Sequence, residues 1–384
     1  MNTSPRLRDG VHDAVVVFLA VRLVLFALSA IGVGLIPLPD GQPTSVPGWP
    51  ARLTDPGWHV LFTATERQDA LWFLRIATEG YRIDDGSAAF FPLYPMAVRV
   101  VAWLPGVGPL AAALLVSNAA LFGALVVLHA LTRLELGTEH ARRTLYLLAF
   151  FPTAVFLLAP YTESLFLLLS LGAFWFARQG RWAWAAVMGA GAALTRSVGL
   201  ILILALWVEA LRQWRKEGET PLPRLIAAAA VAVGPLLYFA WWWVRHGDLF
   251  APLNAQSTWR PAGTQGPWLT IWRAIDHAWD YRTWWAMDLL IVALAVAGVV
   301  LAARRVPLTY TAYAAGSLLL PLLLPFDGRP LLSIPRFMVV VFPLAWGWSL
   351  AASRDRPPEA AVVGTFAALY GLLSVLFITW WYVF

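Results

Sequence analysis

The chain contains no cysteine, which excludes disulfides, thiolate metal sites and thiol nucleophiles. It is also poor in charge. Only 13% of the 384 residues are Asp, Glu, Lys or Arg, while 60% are hydrophobic and the mean hydropathy is +0.66. Soluble domains carry roughly 25% charged residues, so the deficit points to a chain that lives in a bilayer. Lysine is reduced to Lys216. There is no phosphate-loop motif, no dinucleotide-binding glycine fingerprint and no His-rich metal motif; His59, His246 and His277 are scattered. No metal and no cofactor are signalled, and neither is a nucleotide-borne donor, which favours a substrate carried on lipid. No repeat of 20–50 residues is evident. The net charge of +6 does not indicate nucleic acid, because basic residues at span ends and anionic lipids account for it.

What is present is a series of apolar runs. A span needs about 20 apolar residues, and eleven candidates emerge: 13–37, 109–132, 144–159, 162–177, 182–197, 198–213, 224–244, 286–303, 306–325, 335–352 and 359–383. The pairs meeting at Pro160 and Gly199 read as broken or tilted helices. The N-terminus shows no cleavage site, so the first span is expected to stay as an anchor. The expected architecture is an all-α polytopic membrane protein, 1–384 forming a single membrane domain. Threading the spans puts Arg6 and Arg8, Arg133 with Arg142 and Arg143, Arg178 with Arg181, Arg212-Arg215-Lys216, Arg304-Arg305, and Arg354 with Arg356 on one face. Under the positive-inside rule that face is cytoplasmic. The opposite face then receives the long loops 38–108 and 245–285, with Trp241-Trp242-Trp243, Trp284-Trp285 and Trp380-Trp381-Tyr382 as interfacial aromatics.

Loop 38–108 opens with Pro39, Pro43, Pro47, Pro50 and Pro56 and turns helical near 66–79. There Leu71, Leu74 and Ala77 recur at helical spacing between Arg67, Arg75 and Glu79, the pattern of a helix lying in the interface. Asp69 stands at the start of that helix. A carboxylate at a membrane surface can deprotonate a hydroxyl, and a first-turn acid also suits the helix dipole. Glu163, in Pro160-Tyr-Thr-Glu-Ser164, interrupts two apolar runs and is costly unless paired; a plain outer turn would also accept it. Arg196, in Thr195-Arg-Ser-Val-Gly199, is an ionisable group within a long apolar stretch, either functional or snorkelling to the surface. Arg336 follows Pro335 at a span start, as an interfacial anchor or a phosphate ligand.

Taken together, Asp69-Ala-Leu-Trp-Phe-Leu-Arg-Ile-Ala-Thr-Glu-Gly-Tyr81, Ala89-Phe-Phe-Pro-Leu-Tyr-Pro95, Phe151-Pro-Thr-Ala154, Pro160-Tyr-Thr-Glu-Ser164, Thr195-Arg-Ser-Val-Gly199, Gly247-Asp-Leu-Phe250 with Gln256 and Trp259, and Pro335-Arg-Phe337 resemble the PIG-V-like mannosyltransferases. That family includes the second mannosyltransferase of GPI-anchor synthesis and bacterial relatives. The chain departs from the family pattern at Gln68, where Trp is usual, and at Val198, where Asn is common. The resemblance implies a GT-C glycosyltransferase in a bacterial plasma membrane, working outside the cytoplasm. It would take mannose from a polyprenyl-phosphate-mannose donor and pass it, with inversion, to a glycolipid or glycan hydroxyl, giving an α-mannoside such as α-1,6. Asp69 would be the catalytic carboxylate, Arg196 and Arg336 the donor-phosphate ligands, and Glu163 a partner for an arginine or a sugar hydroxyl. Trp72, Tyr81, Tyr94, Tyr161, Gln256 and Trp259 would contact substrate, although aromatic packing explains the rings equally well. A lipid-linked-sugar flippase, or a GT-C enzyme moving another sugar, remain the alternatives.

Overall fold

The computed structural model describes residues 7–36, 46, 57–260, 263–280, 285–352 and 359–381. Arg6, the proline-rich start of the first long loop, Trp284, Arg354, Arg356 and Tyr382 lie outside these. Among the described residues every regular element is helical. The helices used below are α1 (Val11–Leu35), α2 (Asp69–Glu79), α3 (Leu93–Ala102), α4 (Pro109–Leu136), α5 (Thr138–Ala149), α6 (Glu163–Arg178), α7 (Trp182–Thr195), α8 (Ile201–Glu217), α9 (Val233–His246), α10 (Ala251–Trp259), α11 (Pro267–Asp280), α12 (Ala286–Ala303), α13 (Leu308–Leu322), α14 (Ile334–Met338), α15 (Pro343–Ala351) and α16 (Glu359–Ile378).

Among the described residues six helices are long and apolar enough to cross a membrane: Leu7–Leu35, Pro109–Leu136, Ser197–Glu217, Leu222–His246, Ala286–Ala303 and Glu359–Ile378. Several of the eleven expected runs are shorter or broken, two of them at prolines. The run 144–159 divides because Pro152 follows the end of α5; helix resumes only for one turn, Val155–Leu158. The run 335–352 divides into α14 and α15, with Pro335 and Pro343 in their first turns, where a missing N–H costs nothing. Between α7 and Ile201 the chain turns at Arg196 in extended conformation, φ −153° and ψ 138°. Gly199 makes this turn possible: a Cβ there would lie 2.5 Å from the Ala193 backbone nitrogen.

The helix ends fall into two sets. At one end Arg133 pairs with Asp9 at 3.0 Å, Arg143 with Glu359 at 2.9 Å, and Arg178 with both Glu135 and Glu209. Thr309 and Tyr310 donate to Glu209 and Glu135, and Arg304 and Arg305 precede them by a few residues. The arginine clusters that the sequence assigns to one face therefore share one end of the bundle, wherever they are described. The buried polar network binds α4, α6, α8 and α13 together there.

At the other end lies α2. It forms where the sequence places a helix, but it is enclosed rather than laid open: every side chain from Ala70 to Ala77 is buried. The expected polar face fails because its arginines are satisfied inside the protein. Arg75 is 1% exposed, pairs with Asp85 and stacks 4.8 Å from the Trp72 ring. Arg67, fully buried, donates to Thr63 O, Glu66 O and, through Nε and Nη2, to Ile378 O at the end of α16. Its guanidinium also covers Trp380, 4.5 Å from the ring centre.

Candidate active site

A cavity of about 700 Å³ opens at this second end. Two strained residues flank its charged core. Gln68, at φ +50° and ψ −120°, sets Asp69 as the first residue of α2; Ser333, at φ +67°, starts the turn into α14 and Arg336. Positive φ at residues other than glycine costs about 1–3 kcal/mol and persists only when the surroundings enforce it. Around Gln68 the enforcement is visible: Arg67 is held through its side chain, and its carbonyl accepts from the buried Tyr161 hydroxyl at 2.9 Å. The segment before Ser333 is fixed by Arg329, which grips Asp288 of α12 through two 2.9 Å bonds.

Four charged groups form a chain. Arg336 Nη1 donates to Asp69 Oδ2 at 2.6 Å, and its Nε lies 3.2 Å from Glu163 Oε1. Arg196 Nη1 donates to the same Glu163 oxygen at 2.6 Å and meets Thr162 Oγ1 at 2.9 Å. Glu163 is fully buried beneath the cavity, whereas the Asp69 side chain is 31% exposed. The acid expected to act on a hydroxyl is thus the open one, and the buried acid positions two guanidiniums.

A third arginine joins them. Arg260 lines the cavity, donates to Leu324 O and stacks on Phe326 at 4.8 Å. Burial lowers its pKa to about 10, and repulsion from Arg336 and Arg196 adds to this, so it stays charged at neutral pH. All three guanidiniums face Phe337, at 4.5, 5.1 and 5.9 Å from its ring centre for Arg196, Arg336 and Arg260. Among the described residues Arg260 has no carboxylate in ion-pair contact. Three cations against two carboxylates leave the core one positive charge in excess, and Arg260 carries it.

The sequence approached Arg260 without reaching it. Gln256 and Trp259 were expected at the site and do line the cavity. The local cause lies in Gly247-Asp-Leu-Phe250: Gly247, at φ +74°, ends α9, and Asp248 accepts the Phe250 N–H at 2.8 Å to start α10. Trp259 then donates to Gly86 O at 3.4 Å and meets Trp72 edge-on, 5.8 Å between centroids, while Trp72 stacks on Phe90 at 5.3 Å. Trp72, Phe90 and Trp259 make one aromatic wall of the cavity; Trp380 and Trp381 line it as well.

Three expected substrate contacts are placed elsewhere. Tyr81 packs on Tyr238, Trp241 and Trp242, and its hydroxyl donates to Phe90 O at 2.8 Å, bracing the wall from behind. Tyr94 is buried, its hydroxyl 3.2 Å from Ala113 O and 2.9 Å from Ser117 Oγ. Tyr161 lies under Arg336, 5.3 Å from guanidinium carbon to ring centre, and supports the Arg67 carbonyl. None of the three lines the cavity. Each hydroxyl meets a partner inside the protein, as buried tyrosines require.

The all-helical bundle has solved counterparts in fold. The chain is similar in fold to the crystal structure of ArnT from Cupriavidus metallidurans bound to undecaprenyl phosphate, at 14% identity and a TM-score of 0.53, over 96% of this chain and 76% of that one. The apo structure of the same ArnT is similar at 15% identity and a TM-score of 0.50, with the same coverage. These neighbours are GT-C glycosyltransferases. No curated protein matches the chain. The family model for mannosyltransferase (PIG-V) matches residues 15–217, and the chain belongs to that family.

Proposed function

We propose that this membrane glycosyltransferase moves mannose from a polyprenyl-phosphate-mannose donor to a hydroxyl of a glycolipid or glycan, with inversion, giving an α-linked mannoside of the α-1,6 type. The observation that carries this reading is the meeting of one open carboxylate, Asp69, with three arginines in one cavity. Asp69 takes the acceptor proton as the hydroxyl oxygen bonds to mannose C1. The bond from C1 to the phosphate oxygen breaks, its electron pair leaves with the polyprenyl phosphate, and that phosphate gains a negative charge. Preformed cations aimed at developing charge are the strongest device available to such a step. Arg336, shared between Asp69 and Glu163, orients the base. Arg260, lacking a carboxylate of its own, is the cation best able to receive the phosphate, and Arg196 assists from Glu163. Trp259, exposed in the cavity wall, offers its ring to the sugar, and Trp72, enclosed between Phe90 and Arg75, backs it. Ser317, Leu320, Pro321 and Val340 continue the cavity between α13 and α14 as a slot suited to isoprene units.

Arg260→Ala is expected to raise the donor KM about 10–100-fold, the equivalent of one charge-assisted bond of roughly 1.5–3 kcal/mol, and to weaken inhibition by free polyprenyl phosphate equally. Arg260→Lys restores part of the loss, since an ammonium lacks the planar fork. Steady-state kinetics at varied donor concentration provide the check; an unchanged donor KM would remove Arg260 from the phosphate site.

The reading also orients the protein. The arginine-cluster end faces the cytoplasm and the cavity opens on the outer side of a plasma membrane; any further crossings by the shorter helices leave this orientation unchanged. Single cysteines introduced by Ile83→Cys and Thr264→Cys, both at exposed sites, should react with an impermeant maleimide on intact cells, whereas Glu217→Cys stays unlabelled. The reverse pattern would put Asp69 in the cytoplasm and beyond reach of an outer-leaflet donor.

A further inference from the structure

Helix α11, in the second long loop, has three faces. Trp268, Trp272, Ile275 and Trp279 are 78%, 67%, 47% and 87% exposed. At about 100° per residue they fall within an arc of roughly 60°. Thr270, Ala274 and Ala278 are buried and lie roughly opposite one flank of that stripe. Arg273, Asp276 and Asp280, all exposed, occupy the remaining flank. The buried face has a defined seat: α11 packs against α12 and α13, Thr270 Oγ1 donates to Leu322 O at 2.7 Å, and the Gln265 N–H donates to Leu323 O at 3.0 Å. Arg260 takes the next carbonyl, Leu324 O. Three successive carbonyls at and just past the end of α13 are thereby capped by Thr270, Gln265 and Arg260.

One face therefore meets protein and one meets water. A third presents three indoles and an isoleucine, with nothing over them among the described residues. We infer that this third face is embedded in the outer headgroup–acyl boundary of the bilayer, making α11 an in-plane membrane anchor. Several features select lipid as the occupant. Tryptophan is the residue that prefers this boundary. An amphipathic helix with charges on one side and indoles on another is built to lie along it. The stripe belongs to a helix packed on two neighbours that themselves expose Leu290, Val296 and Leu319, the lipid-facing surface of the bundle. The second long loop thus carries an in-plane helix of its own. Its seat on α13 ties the anchor to Arg260, so the anchor fixes the height of the cavity mouth at the membrane surface.

The absence of native cysteine makes the test direct. The full-length protein carrying one of Trp272→Cys, Ile275→Cys, Trp279→Cys, Asp276→Cys, Asp280→Cys or the buried control Ala278→Cys is spin-labelled and reconstituted in liposomes. Power saturation then compares accessibility to oxygen, which concentrates in lipid, with that to a water-soluble nickel chelate. The oxygen-to-nickel ratio at 272, 275 and 279 should exceed that at 276 and 280 several-fold, with 278 shielded from both. Equal ratios along the helix, or nickel preferred at 275, would place the stripe in water and overturn the inference. Shielding of 272, 275 and 279 from both relaxants would mean that protein covers the stripe, and would overturn it equally. Ile275→Cys, at the least exposed position of the stripe, keeps the test available should an indole replacement fail to fold.

Discussion

Asp69→Asn is expected to leave the folded protein intact and lower mannosyl transfer by about 10²–10⁴-fold, the range of a general-base contribution. The amide keeps the size of the side chain and can still meet Arg336 through its oxygen, but it cannot accept the acceptor's proton. Asp69 is the more exposed of the two core acids, 31% against 0% for Glu163, so an acceptor hydroxyl can reach it without moving a helix. The signature is a fall in kcat with donor affinity little changed, because the three arginines proposed to hold the phosphate remain. Glu163→Gln should behave differently. It leaves two arginines sharing an uncharged partner and should disturb donor KM and thermal stability together. If a stable Asp69→Asn protein turns over at the wild-type rate, Asp69 is a helix-start residue and another group takes the proton.

Arg336→Ala is expected to have the second large effect, on stability and activity at once. Arg336 lies between Asp69 at 2.6 Å and Glu163 at 3.2 Å, with its guanidinium against the Phe156, Tyr161 and Phe337 rings. Removing one partner of a buried pair costs on the order of 3–5 kcal/mol, since the remaining charge stays desolvated. A lower melting temperature in detergent should therefore accompany a loss of transfer of at least about 10²-fold, comparable with loss of the base itself. The Asp69→Asn, Arg336→Ala double variant should lose far less than the sum of the two single losses, because both act on one carboxylate. Additive losses would mean that the pair does not work as a unit. The Arg196→Ala effect should be milder, as Glu163 keeps Arg336.

How much of this was legible in the sequence depends on contrast. Asp69, Glu163, Arg196 and Arg336 stand out because ionisable groups beside apolar runs are expensive, and the structure brings all four into one chain of charge. Arg260 follows Trp259 in a polar loop, where one more charge is unremarkable; its importance comes from Leu324 and Phe326, more than sixty residues away. Ring positions were harder still. Trp72 and Trp259 line the cavity while Tyr81, Tyr94 and Tyr161 do not, and only packing decides which way a ring turns. Hydropathy found the apolar runs but not the interruptions at Pro152 and Pro343, since a window average carries no information on a missing N–H. The periodicity of 66–79 gave the helix but not its enclosure, because the partner of Arg67 is Ile378 O.

The central claim, that a carbon–phosphate-oxygen bond is broken at this cavity, is tested most directly by following the donor. Purified protein in liposomes is incubated with polyprenyl-phosphate-mannose labelled in the sugar, together with a crude acceptor-lipid extract. The account predicts that free polyprenyl phosphate accumulates in step with label in a new mannolipid, and that Asp69→Asn abolishes both. Donor that crosses the bilayer uncleaved, with no polyprenyl phosphate released, would contradict it and make the protein a lipid-sugar flippase.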